Sequence, residues 1–113
     1  MARLLLEEGL TRGSVNRSYY AMFYAVLALL ASPKKETSMH SVAISLFDKD
    51  FVKTGVFPKE LSRWLHDAFN MRQRADYAPN CIPSVEEAGE ILDRAVFFVE
   101  EVRKSQTFEN KSG

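Results

Sequence analysis

Hydrophobic positions recur along this chain at steps of three and four, and no stretch alternates long enough to suggest a strand. At about 100° per residue, Val15, Tyr19, Met22, Val26 and Leu29 or Leu30 fall on one helical stripe, while Arg17, Tyr20, Tyr24 and Ala28 line the opposite face. The uncharged run "SYYAMFYAVLALLASP" between Arg17 and Lys34 is 16 residues long. A bilayer needs roughly 20, so no membrane span is expected. The run reads instead as the central helix of a bundle, and a helix apolar on most sides must be covered on most sides. Its aromatic second face, with Arg17, Tyr20 and Tyr24, is a candidate subunit interface, because Tyr and Arg are enriched there. Other helices of the same chain are the alternative cover.

The remaining segments extend the pattern. Val42, Ile44, Leu46, Phe47 and Phe51 fit a helix that Gly55 ends. Pro58 suits the first turn of the next one, whose buried stripe is Leu61, Leu65, Ala68 and Phe69. Ser84 and Glu87 have capping-box spacing ahead of Val85, Ala88, Leu92, Ala95, Val99 and Val102, an amphipathic helix with an acidic outer face. With the short opening helix "ARLLLEEGL", the count is four or five helices in an all-α bundle. Residues 1–105 read as one domain, and the aperiodic tail, 106–113, as frayed.

Composition adds limits. A chain of 113 residues builds one hydrophobic core. Fifteen basic residues balance fifteen acidic ones, so no net positive field gathers nucleic acid or an anionic membrane from a distance. Any such binding must be local. The lone cysteine, Cys81, forms no intrachain disulfide, and "MARLLLEEGL" turns acidic too soon for a secretory signal, so a cytoplasmic setting is expected. Two histidines without clustered carboxylates give no metal site, and no motif calls for a cofactor.

Candidate chemistry gathers in "MRQRADYAP", Met71 to Pro79. Arg72 falls inside the stripe of Leu61 and Leu65, whereas Arg74 falls with Arg63 and Asp67 on the polar side. A guanidinium drawn inward keeps its charge and needs anionic or carbonyl partners. Asp76, four residues on, is within reach of an ion pair, Tyr77 flanks the stripe, and Pro79 ends the helix. The group is either a half-buried pair that fixes helix packing or a fork of donors that grips a phosphate in a cleft. His40 sits at a helix start, as a first-turn residue or as a group on that cleft. His66 lies off the stripe at the surface, and Trp64 flanks it as core or interface.

"NRSYYAMFYAVLALL", "HSVAISLFDKDFVKTG" and "FPKELSRWLHDAFNMRQRADY", in that order, resemble the HEPN domain (higher eukaryotes and prokaryotes nucleotide-binding) in a small stand-alone prokaryotic form with an R-x-x-A-D-Y ending at Arg72, Ala75, Asp76 and Tyr77. The resemblance covers about Leu4 to Val102. It implies an up-and-down helical bundle, a homodimer, a neighbouring minimal nucleotidyltransferase as partner, and toxin-antitoxin or nucleotide-binding roles. Family ribonucleases place a histidine about four to six residues after the arginine, where the arginine steadies phosphate charge and the histidine moves protons. Here that spacing reaches Tyr77, Ala78 and Pro79. The departure weakens a ribonuclease reading, in which Arg72 would be catalytic. Nucleotide or phosphate binding through Arg72, Asp76 and Tyr77 needs only donors, and Tyr77 could accept a nucleotide group from a partner transferase. The alternatives are a ribonuclease toxin with a non-standard site, acting on RNA, and a purely structural dimerisation module.

Overall fold

The computed structural model describes residues 2–30, 40–77 and 82–112, side chains excepted at 76–77 and 106–112. Among the described residues the only regular elements are helices, with no strand: α1 (Ala2–Glu7), α2 (Thr11–Leu30), α3 (His40–Phe47), α4 (Lys59–Tyr77) and α5 (Val85–Ser112). They form an all-α bundle of 47 × 25 × 25 Å. The helix end expected at Pro79 lies outside the described residues.

α2 is the centre, touching each of the other four helices. Its predicted stripe is buried: Val15, Tyr19, Met22 and Val26 are all fully inaccessible. So is Phe23, beside the stripe, together with Ser14 and Ser18. The burial arc is wide because helices pack on several sides of α2, as its near-continuous apolar run requires. Around it pack Ile44 and Phe47 of α3, Leu61, Leu65 and Ala68 of α4, and Ile91, Ala95, Phe98 and Val102 of α5. α4 and α5 run antiparallel, since Trp64 meets Phe97 and Asp67 meets Arg94.

Local details follow from side-chain chemistry. The capping box forms as the spacing requires: Glu87 N–H donates to Ser84 Oγ, and Ser84 N–H donates to Glu87 Oε1, both at 3.0 Å. α3 does not stop at Phe47 but widens into a π turn, Asp48–Val52. There Phe47, Phe51 and Phe57 stack with centroids about 6 Å apart. Gly55 follows at φ +85°, a left-handed conformation in which a Cβ is strained, and it turns the chain into α4.

Three stripe positions are exposed instead. Val42 and Leu46 face solvent because α3 turns Ala43, Ile44 and Phe47 inward, and Val85 faces solvent because α5 buries Ala88, Ile91 and Leu92. α5 also runs on as helix to Ser112, where the aperiodic sequence suggested fraying. Among the described residues no helix is long and apolar enough to cross a membrane.

Candidate functional site

Arg72 enters the bundle from the last turns of α4, half-buried, with its Nε shielded from solvent. Its guanidinium carbon lies 5.1 Å from the Tyr20 ring centroid and 5.7 Å from that of Tyr19. Both distances are within cation–π range. Two consecutive tyrosines can do this because they stand about 100° apart on α2. Tyr19 points fully into the core, and Tyr20 sits half-buried on its shoulder.

His40, the first residue of α3, completes the cluster. Its ring stacks on Phe23 at 4.1 Å and 18°, and its Nδ1 lies 2.7 Å from the Tyr19 hydroxyl. Burial pushes the imidazole below its ordinary value, and the Arg72 charge lowers it further. The ring is therefore neutral at pH 7. Burial raises the Tyr19 phenol well above its ordinary value, with Arg72 opposing in part and Tyr20 adding to the rise. A neutral imidazole and a protonated phenol share one proton-bearing contact, and His40 Nε2 is an acceptor or a donor according to the sense of that bond.

Phe69 seals the cluster against Tyr19 at 5.6 Å and His40 at 6.2 Å. The arrangement thus holds a fixed positive charge, a neutral titratable ring and a phenol on one aromatic wall. A guanidinium held against aromatic rings retains a planar fork of N–H donors, the group with which Arg grips phosphate by two bonds.

The residues singled out by sequence are distributed as follows. Arg72, Tyr20 and His40 come together. Asp76 and Tyr77 continue α4 by backbone, but their side chains lie outside the described residues. Arg17 and Tyr24 are exposed on another part of α2; Tyr24 meets Tyr20 ring to ring at 5.9 Å. Tyr19 and Phe69, read from sequence only as core positions, and Phe23, not singled out at all, carry the site. The signal that could have found them is the consecutive aromatic pair at Tyr19 and Tyr20.

A second polar cluster lies lower on α4. Asp48, in the π turn, accepts from Ser62 Oγ and pairs with His66 Nε2, both at 2.7 Å. Sequence placed His66 simply at the surface. The carboxylate stands between serine and histidine, and Ser62 bonds Asp48 rather than the imidazole, so this is not a nucleophile–base pair. It fastens the π turn to α4. Trp64 packs against Phe97 with Arg94 over its ring at 5.6 Å, a structural place. No group of three or more His, Cys, Asp or Glu able to hold a metal occurs among the described residues.

Comparison with known proteins bears on this geometry. A family model, the HEPN domain, matches residues 1–105. A Methanocaldococcus jannaschii protein named as a putative toxin is 36% identical over 91 residues, 80% of this chain and 62% of that protein's length. A second putative toxin of that organism is 34% identical over 104 residues, covering 92% of this chain and 77% of the relative. A Thermotoga maritima protein named UPF0332 is 35% identical over 103 residues, covering 91% and 78%. No solved structure matches the chain.

Proposed function

This chain belongs to the HEPN domain family, and we propose that it binds a nucleotide, through its phosphates, where Arg72 lies against Tyr19, Tyr20 and His40, with Asp76 and Tyr77 at the same helix end. The observation that carries the reading is the guanidinium within cation–π distance of two tyrosine rings, one of which meets a neutral imidazole. Contact with two rings restricts the side chain before a ligand arrives, which lowers the ordering cost of binding. The names of two relatives add a toxin role to the proposal.

Calorimetric titration with ATP, ADP and GMP tests it. Arg72→Ala should weaken binding by about tenfold or more, the range for loss of a charge-assisted phosphate contact. A flat titration of the unaltered protein at about 1 mM nucleotide, a ligand worth roughly 4 kcal/mol, would overturn it.

One observation favours a second reading. The histidine missing downstream of Arg72 has a spatial counterpart in His40, carried by α3 rather than α4. In a ribonuclease this imidazole would move protons while Arg72 steadied phosphate charge. RNA cleavage abolished alike by Arg72→Ala and His40→Gln would establish that reading in place of simple binding. Cleavage untouched by both would trace it to a contaminant.

A further inference from the structure

The 2.7 Å contact between the Tyr19 hydroxyl and His40 Nδ1 has two senses, and they leave the imidazole with opposite chemistry. If Nδ1–H donates to the phenol oxygen, Nε2 is a lone pair that can take a proton from a ligand hydroxyl. If the phenol donates to Nδ1, the ring's single proton sits on Nε2, which is then a donor. Among the described residues, neither the Tyr19 hydroxyl nor either His40 nitrogen has another hydrogen-bond partner.

We propose that Tyr19 is a positioning residue that donates its O–H to His40 Nδ1, holds the ring in its Nε2–H tautomer, and so makes His40 a donor to an acceptor oxygen of the ligand gripped by Arg72. The ligand half rests on the nucleotide-binding reading above. The tautomer half rests on this contact alone.

Three observations set the sense of the bond. A phenol, with a pKa of about 10, is a far stronger acid than the N–H of a neutral imidazole, and an imidazole nitrogen, whose protonated form has a pKa of about 6.5, accepts far better than a phenol oxygen. The better donor thus meets the better acceptor. Tyr19 is also fully buried. With the bond reversed, its own O–H would face the core with no acceptor among the described residues, and a buried donor left unpaired bears its full desolvation cost. Finally, burial and the Arg72 charge keep the ring out of its cationic form, in which both nitrogens would carry protons.

The same hydroxyl selects which way round the ring lies. The imidazole stacks on Phe23 at 4.1 Å and 18°, lies 6.2 Å from Phe69, and meets Tyr20 edge to face at 5.8 Å. A half-turn of the ring would keep these ring contacts but put a C–H where Nδ1 stands. Only the Tyr19 bond tells the two orientations apart.

The cluster therefore offers two sets of donors, the Arg72 fork and the His40 Nε2–H. That suits the oxygens of a phosphate chain better than a ligand amine or hydroxyl. In this tautomer Nε2 has no lone pair, so His40 takes no proton from a ribose hydroxyl, and the role of base in a ribonuclease is closed to it.

Ring-nitrogen NMR on protein labelled at histidine, without ligand and at pH 7.5, reads the tautomer directly. His66→Gln, at an exposed position, assigns the two histidine signals. His40 should show a protonated Nε2 and a bare Nδ1, and in Tyr19→Phe the Nδ1–H form should enter. A proton on Nδ1 in the unaltered protein would overturn the proposal, and that reading needs no variant. An unchanged tautomer in Tyr19→Phe would overturn it too, leaving Tyr19 a packing residue.

ATP then tests the ligand half. On binding, the Nε2 proton should move downfield and exchange more slowly with water, a signature that a purely structural role does not give. His40→Phe, which keeps a ring on Phe23, should weaken ATP about three- to tenfold, the worth of one hydrogen bond. Tyr19→Phe should weaken it by only about twofold, because the ligand itself can select the Nε2–H form. An Nε2 proton that ignores bound ATP, or full affinity in His40→Phe, would overturn the donor role. A flat titration of the unaltered protein would overturn the nucleotide-binding reading and the ligand half with it, whereas the spectra without ligand decide the tautomer on their own.

Discussion

Removing one oxygen from Tyr19 isolates the contact that ties α3 to the candidate site. In Tyr19→Phe the ring keeps its neighbours: Phe69 at 5.6 Å, His40 at 5.7 Å, Phe23 at 5.9 Å and the Arg72 guanidinium at 5.7 Å. What goes is the 2.7 Å bond to His40 Nδ1. A neutral hydrogen bond is worth about 1 kcal/mol net. Two side effects oppose each other: a buried hydroxyl no longer has to be desolvated, and a half-buried imidazole nitrogen loses its partner. A net loss of about 1 kcal/mol follows, which for a domain of this size lowers Tm by about 4 °C.

A single melting shift could come from packing, so the assay is a double-mutant cycle in urea at pH 7.5 with His40→Phe, which keeps a ring on Phe23. A coupling of about 0.5–1.5 kcal/mol is expected for groups in direct contact. Effects that add to within about 0.3 kcal/mol would refute the bond and, with it, the placement of His40 beside Arg72. Nucleotide affinity should survive Tyr19→Phe, because Arg72 rests on the ring and not on the hydroxyl.

Two further outcomes follow from the same geometry. Arg72→Met removes the charge that is the second cause of the low His40 value, so NMR titration should find the imidazole raised part of the way toward its ordinary value of about 6.5, with burial still holding it below; no movement would mean that the two groups are not neighbours. The sign for stability is set by the unfolded chain, which takes up the His40 proton first: the stabilising effect is present above about pH 6.5 and is lost as pH falls toward the folded-state value, less steeply in Arg72→Met. Gly55→Ala should cost about 1 kcal/mol in urea unfolding, and because nothing lies within 4 Å of the added Cβ, the whole effect is backbone strain at φ +85°. A cost near zero would show that this left-handed turn is not kept.

Helices and their inward faces were legible because they depend on short-range spacing. Leu61, Leu65, Ala68, Ala88 and Ala95 are buried where period and capping place them. The stripes were too narrow where a helix is covered on several sides, which is why Phe23, Ile91 and Phe98 escaped notice. They were too generous on α3, whose eight residues bury only Ala43, Ile44 and Phe47. In the site, the inward position of Arg72 follows from the rhythm of its own helix, but the rings that receive it belong to α2. Asp48, Ser62 and His66 meet across 14 and 18 residues, a separation that no local pattern reports. A search for histidine along α4 alone could not reach His40, because only the packing of α3 against α2 carries that ring to Arg72.

Adjacent tyrosines on α2 therefore divide the molecule's chemistry. Tyr19 faces fully inward and joins His40 to the core, whereas Tyr20, about 100° around the helix, receives Arg72 on its ring and also lines a groove of about 530 Å³ between α2 and α5. A body seated in that groove would press on the ring that meets the guanidinium, so the two surfaces share a wall. Sharing permits coupling only if the ring has two arrangements with different fits to the two ligands, since a site influences another by as much as its differential affinity. Tyr20→Ala would damage both surfaces at once and distinguish nothing. Tyr24 lines the groove and meets Tyr20 ring to ring at 5.9 Å, so Tyr24→Ala alters the groove side of that wall, and a change in nucleotide affinity in this variant would measure the coupling directly.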